Sequence, residues 1–543
     1  MKRLTNHSDR SSRVIVLVFL ACLLCGCAVG PDYLRPEAPE LPAWSASDSP
    51  AIRSEAGDVG RWWQVFNDPA LDRLIETACQ ENLDLHIAGL RILESRAKLG
   101  IAVGGLYPQQ QAVRGGWTHT RLSKHTANTQ PGMDMNYGEA GLGFDAAWEL
   151  DLWGKFRRAV EAGTAMLDAS VAQYDDILVT LTAEVTRTYV LMQTLGARLA
   201  IARENAQIQK RSLQVTQARF QGGYVSELDV SQAKALLNET LAAVPRLKAG
   251  LKQTRNGLAI LLGMLPGEVD AMLPSPEFGA IPPVPGEITV SVPAQLLRRR
   301  PDIRLAERRL AAQCALIGIA KADLYPSFTL FGTIGLRASD SELTYARYPE
   351  KSSLGDIWRS DSVEFLGGPS FSWNIFNYGR IKNNVRVQDA RFQQLAIDYR
   401  NTVLKATQEV EDAMAAFLMA QETLARLSES LVAAARSVEL SMVQYREGLV
   451  DFQRVLDTQR FQTQVQDLLT STQGAVALNL IATYKALGGG WEIRENRDFL
   501  PEDIKREMQA RTDWGDMLTP AAQKEIHETG KEQQWREPES RSE

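Results

Sequence analysis

The sequence predicts an α+β membrane protein. Each chain supplies four membrane β-strands and long coiled-coil helices; with three copies the strands close into a 12-stranded β-barrel and the helices into a tube below it. Three observations predict this: an internal duplication, alternating apolar stretches of strand length, and helical patterns far beyond globular size. The duplication shows first at Trp148-Glu-Leu-Asp-Leu-Trp-Gly-Lys-Phe-Arg157, echoed by Trp373-Asn-Ile-Phe-Asn-Tyr-Gly-Arg-Ile-Lys382, 225 positions on. The same offset relates Phe220-Gln-Gly-Gly-Tyr224 to Tyr445-Arg-Glu-Gly-Leu449, and Leu262-Gly263 to Leu487-Gly488. Upstream it is 218, relating Gly100-Ile-Ala102 to Gly318-Ile-Ala320 and Leu106-Tyr-Pro108 to Leu324-Tyr-Pro326. The seven-residue difference is an insertion between Pro326 and Trp373. A period this long is not a solenoid repeat; it divides the chain into a first repeat, 61–280, and a second, 281–490.

Residues 1–26 read as an export signal. Lys2, Arg3 and Arg13 flank a 12-residue apolar run, Val14 to Cys25, too short to span a bilayer as a helix. It ends in Leu24-Cys25-Gly26-Cys27, which resembles the lipobox of bacterial lipoproteins. That resemblance makes Cys27 the acylated residue, with Gly26 the small residue before the cut, and Ala28 after it favours the outer membrane. An ordinary cleaved signal with incidental cysteines is the alternative. Residues 27–60, with Pro31, Pro36, Pro39, Pro42 and Pro50, read as an extended tether.

The body starts at Arg61-Trp-Trp63, where Asp68-Pro69 gives an N-cap and first-turn signal. A helical pattern over about 69–105 stops at Leu106-Tyr-Pro108. Next, Leu142, Phe144, Ala146, Trp148 and Leu150 alternate with Gly143, Asp145, Ala147, Glu149 and Asp151, an apolar and a polar face at period two. The second copy alternates at Phe328, Leu330, Ile334 and Leu336, then at Phe371, Trp373 and Ile375. Two strands per copy, of roughly 10–12 residues, suit a tilted membrane strand. The strands fall within 106–152 and 324–377, joined by long polar loops at 124–138 and 338–365. A soluble hairpin on a core would show the same alternation.

From Gly154 to Phe220 nothing breaks the helix, roughly 100 Å at 1.5 Å per residue. Spacings of three and four at Leu178, Leu181, Val185, Met192, Leu195 and Leu199 mark a coiled-coil seam. The second copy repeats it at Val403, Ala406, Val410, Phe417, Ala420 and Leu424. The chain reverses at Gln221–Ser226 and Glu447–Asp451 into antiparallel partners reaching 263 and 487. Residues 491–543 are highly charged without a clean apolar stripe and read as a surface-draped or disordered tail.

A net charge of −6 gives no basic field for nucleic acid. Cys79 and Cys314 lie in no metal spacing, the five His are scattered, and neither G-x-S-x-G nor a paired catalytic site is present. No enzyme, metal or cofactor is expected beyond the lipid on Cys27. Four strands cannot close a barrel, and an open edge cannot face lipid; three copies give twelve strands, within the range of outer-membrane barrels.

The lipobox, both Leu-Tyr-Pro turns, both aromatic-Gly-Lys/Arg junctions and Tyr445-Arg-Glu-Gly-Leu-Val-Asp451 with Leu456-Asp-Thr-Gln-Arg460 resemble the TolC-like outer membrane efflux factors. The resemblance is closest to the lipoprotein branch typified by OprM and NodT, and covers about 60–490. It implies a homotrimeric, passive duct, a 12-stranded β-barrel in outer membrane lipid continuous with a periplasmic α-helical barrel, working with a periplasmic adaptor and an inner-membrane transporter of the RND class to expel drugs or other small molecules. It also implies that the adaptor docks at Gly222, Gly223, Val225, Gly448 and Val450, and that Asp229, Tyr445, Asp457 and Arg460 close the periplasmic aperture. Gln453 is polar where close relatives carry an apolar gating residue, which argues against an apolar closure ring. A type I protein secretion duct and a non-conducting, lipid-anchored coiled-coil scaffold are the alternatives.

Overall fold

The computed structural model describes residues 28–519, except 38, 40, 48, 54–58, 128–133, 274–279, 290–298, 341–351 and 496. Its elements repeat the offsets of the sequence. Helices α1 (Pro69–Glu81) and α2 (Leu83–Gly104) precede strands β1 (Gln110–Arg121) and β2 (Asn136–Glu149). Then come α3 (Lys155–Gln221) and α4 (Glu227–Leu261). The second copy supplies α5 (Pro301–Ala322), β3 (Ser327–Ser339), β4 (Val363–Ser372), α6 (Arg380–Arg446) and α7 (Phe452–Ala486), and α8 (Glu502–Arg511) ends the series. Helices α3 and α6 are both 67 residues long, and α4 and α7 both 35. The expected helix over 69–105 is two helices. Asn82 leaves the helical region (φ −67°, ψ 122°), and its side chain caps the second by accepting from Leu85 N at 2.9 Å.

The chain forms two compact units. The first contains the described residues of Met1–Pro36, Glu94–Leu167 and Arg308–Ala396. Its sheet is antiparallel in the order β1-β2-β3-β4, so β2 of the first copy pairs with β3 of the second. Directly opposed residues share a face, and the register places Val113, Phe144, Ile334 and Phe365 in one row. The same face carries Trp117, Leu142, Trp148, Leu330 and Phe371, while the other carries the ion pairs Arg114–Asp145 and Arg337–Glu139. Val113, Trp117, Phe144, Ile334, Phe365 and Phe371 are all exposed, so among the described residues no core covers the apolar face. A soluble hairpin would bury it; a membrane strand turns it to lipid. The alternation at Trp373 and Ile375 lies past the end of β4, which stops at Ser372.

In the same unit, residues 28–33 are docked rather than forming a free tether. Val29 N donates to Trp153 O at 2.9 Å, and Arg158 pairs with Asp32 at 2.6 Å. Tyr33 packs on Ala165, Ala311 and Ala312. Gly30 approaches Gly318 so closely that a Cβ on Gly30 would stand 2.5 Å from the Gly318 Cα.

The second unit contains the described residues of Glu37–Leu93, Asp168–Glu307 and Ile397–Glu543. Tether residues 52–53 pair with 288–289 here as a short parallel ladder, and Trp44 is buried. Asp68 caps α1 through Ala70 N (2.9 Å) and accepts the Tyr189 hydroxyl at 2.6 Å. The charged tail also departs from expectation over 491–519. Leu500, Met508 and Leu518 close a cluster on Leu93, and Phe499 meets Tyr174 edge to face at 5.1 Å. The physical reason lies in the charges themselves. Asp175, 0% exposed, accepts from Arg494 and from Arg304 at 2.7 Å, and the Arg304 guanidinium lies 4.5 Å from the Trp491 ring centroid. Lys505 is buried between Asp498 (2.6 Å) and Glu502 (2.7 Å). These charges are pairing sites, which a search for an apolar stripe does not register. Residues 520–543 lie outside the described residues.

Candidate functional site

The two helical reversals come together in the second unit. Helix α3 ends at Gln221, where Gly223 takes φ 77° and Tyr224 N donates back to Arg219 O at 2.9 Å. Helix α6 ends the same way, with Gly448 at φ 75° and Leu449 N donating to Gln444 O at 2.9 Å. This left-handed termination satisfies end carbonyls of each helix, and glycine enters it without a Cβ penalty. Space around both glycines is open, so the backbone angle alone selects the residue. Each following helix is then capped. Ser226 and Asp229 form a capping box on α4, with Ser226 N donating to Asp229 Oδ2 at 2.9 Å. Asp451 accepts from Arg454 N at 3.2 Å on α7.

One apolar cluster joins the two turns: Ala233, Leu236, Tyr445, Phe452, Val455 and Leu456, with Val225 and Val450 packed against it. Tyr445 is 3% exposed, lies 5.2 Å from the Phe452 ring and carries the Arg219 guanidinium 4.6 Å from its centroid. Arg219 Nη1 also donates to Tyr445 O at 2.7 Å, and burial pushes the Tyr445 phenol up. Behind the cluster a polar seam fixes the register of α3 against α7. Gln459 donates to Ser212 at 2.8 Å, Asn205 to Gln466 at 2.8 Å, and Arg198 grips Asp467 with two bonds of 2.7 and 2.9 Å.

The expected aperture residues therefore separate. Asp457 and Arg460 stand exposed on one face of α7 with Gln453, whose amide donates to Asp457 at 2.9 Å. Tyr445 is core, and Asp229 is a cap. The docking positions Gly222, Gly223, Val225, Gly448 and Val450 all lie in the two reversals. Sequence reasoning missed Arg219 and Phe452, which hold Tyr445, and the exposed Tyr224, Leu228 and Leu449. The signal for Phe452, Tyr224, Leu228 and Leu449 was apolar character at helix ends, where a turn needs none. Cys27 lies outside the described residues, but its neighbour Ala28 rests on Gly154, where a Cβ would come within 2.6 Å. Among the described residues no group of three or more His, Cys, Asp or Glu is placed to hold a metal ion, and no helix is long and apolar enough to cross a membrane.

Residues 74–264 and 292–489 match the family described as outer membrane efflux protein, one stretch for each copy. The chain belongs to that family. It is 29% identical over 487 residues to nodulation protein T of Rhizobium leguminosarum bv. viciae, covering 89% of this chain and 94% of that one. It is 31% identical to the probable outer membrane lipoprotein SilC of Salmonella typhimurium, covering 86% and 97%. Among solved structures, the outer-membrane channel OprN superposes with a TM-score of 0.78 at 32% identity, covering 86% of this chain and 100% of that one. The protein is an outer membrane channel component of an efflux system, and its sheet is the part that meets the membrane.

Proposed function

We propose that three copies of this chain close into a passive duct that carries drugs or other small molecules from a periplasmic adaptor and an inner-membrane pump to the outside. One observation carries the reading: a four-stranded sheet with an uncovered apolar face and two unpaired edges, β1 and β4. Unpaired edges are not tolerated against lipid, and twelve strands from three chains remove them within the range of known barrels. Cys27 carries the lipid that holds the chain at the outer membrane. The paired turns receive the adaptor, with Tyr224, Leu228 and Leu449 supplying exposed apolar anchors around Gly222, Gly223, Val225, Gly448 and Val450. The pump is of the RND class.

Asp457 and Arg460 form the aperture. Both project from the exposed face of α7, and across copies an Asp ring facing Arg side chains latches by ion pairs and favours cations. Tyr445 and Asp229 act one step behind, holding the turns from which α7 and α4 start. In planar bilayers, Asp457→Ala combined with Arg460→Ala raises single-channel conductance several-fold. Unchanged conductance removes the pair from the gate.

A further inference from the structure

The sheet joins the first copy to the second within one chain, and the junction below it does the same. Trp153, immediately before Gly154, stacks on Tyr325 with ring centroids 4.7 Å apart and planes inclined by 24°. Its Nε1 donates to Pro326 O at 2.8 Å. Tyr325 belongs to the Leu-Tyr-Pro turn of the second copy, so the aromatic pair locks the junction of copy one to the turn of copy two.

The equivalent residues are also present, but they do not meet. Tyr378, 225 positions after Trp153, and Tyr107, 218 before Tyr325, stand open, Tyr378 fully exposed and Tyr107 at 64%. Local geometry fixes the equivalence. Trp148 Nε1 donates to Leu106 O at 3.2 Å, and Trp373 Nε1 donates to Leu324 O at 3.0 Å, the same bond in each copy. Gly154 and Gly379 share the left-handed conformation, at φ 75° and 82°. Tyr378 itself sits at φ 50°, strained for a bulky side chain and held by no ring contact among the described residues.

We propose that Tyr378 stacks on Tyr107 of the neighbouring copy of the chain, repeating across the subunit seam the Trp153–Tyr325 contact made within it. This rests on the trimeric reading above. There the free edge of β4 meets the free edge of β1 from the next copy, as β2 meets β3 inside the chain, and that pairing carries the Leu-Tyr-Pro turn of one chain to the second junction of the other. The ion pair of the first junction, Lys155–Asp323 at 3.0 Å, is not repeated, because Gly105 occupies the position matching Asp323. The aromatic pair holds the seam without it.

The test is cross-linking of full-length, detergent-purified protein with a short bis-maleimide. Trp153→Cys with Tyr325→Cys calibrates the reagent by closing a loop inside one chain. Tyr107→Cys with Tyr378→Cys is expected to give covalent dimers and trimers on denaturing gels, while each single variant gives neither. The native thiols do not interfere: Cys22 and Cys25 leave with the export signal and Cys27 carries the lipid in the reading above, Cys314 is buried, and burial pushes the Cys79 thiol up to about 12. Tyr378→Phe is expected to keep the trimer as resistant to detergent and heat as the native protein, and Tyr378→Ala to lower that resistance. A trimeric mass without inter-chain cross-links, with the internal pair still reacting, overturns the proposal and spares the trimer. A monomeric mass for the native protein overturns both.

Discussion

The two copies share their helix boundaries and differ in what covers the helices. Helix α3 of the first copy buries Asp175 completely, while its counterpart on α6, Arg400, is exposed. At the first junction Asp151 caps α3 through Phe156 N (3.1 Å) and Arg157 N (2.9 Å), Trp153 is stacked, and Ala28 rests on Gly154. At the second junction the matching Phe376 and Tyr378 stand in the open. Along α6 the apolar Ile397, Leu404, Met419 and Val432 are more than half exposed. Duplication supplies two equal scaffolds, but only the first is followed by a copy that covers it within the chain. The second copy is left with apolar surface that other chains must cover.

The largest expected contrast lies at the paired charges. Asp175→Ala strands the buried Arg494 guanidinium and the partly buried Arg304 one and costs about 3 kcal/mol of stability, whereas Arg400→Ala, on an exposed face, stays within about 0.5 kcal/mol; heat-unfolding midpoints separate the two. Equal losses would show that covering does not distinguish the copies. Trp153→Ala, removing a half-buried stacked indole, costs about 2 kcal/mol, measured in the same way. The glycines come next. Gly379→Ala meets only the left-handed backbone penalty, about 1 kcal/mol, while Gly154→Ala also drives its methyl into Ala28 and displaces residues 28–33, so it costs more. Equal effects would mean that the docked N-terminal segment contributes nothing at that junction.

The last contrast depends on pH and concerns Asp176. Burial, and then Asp302, raise its carboxyl from the ordinary range to about 6, against the lowering influence of Arg300 and Lys485, with Glu409 raising it further. The folded chain then holds this proton more tightly than the unfolded one. The stabilisation is full below the ordinary carboxylate range near pH 4 and is lost as pH rises through about 6. The second copy already carries Asn401 at the matching position. Asp176→Asn is therefore expected to raise heat resistance at pH 7 to 8 and leave it unchanged near pH 4. An equal gain at both pH values would contradict the titration.

Much of this was legible because duplication doubles the signal. The offsets 218 and 225 recur in the boundaries of α2 and α5, α3 and α6, and α4 and α7. Alternation located β2 and β3, and the glycines located both reversals. What the pattern left out was set by single contacts. Asn82 splits a helix by taking an extended ψ. Residues 491–519 fold back because Arg494 finds Asp175. Tyr445, expected at an aperture, packs in the core because Arg219 and Phe452 enclose it. Covering of this kind has no period, and a periodic reading passes over it.

The most direct test of an open sheet completed by other copies is the mass and conductance of detergent-purified protein reconstituted in a planar bilayer. The expected result is a trimer with a small, flickering conductance, the behaviour of a closed duct awaiting its adaptor. A monomer that conducts nothing would contradict it and leave a lipid-anchored scaffold in its place.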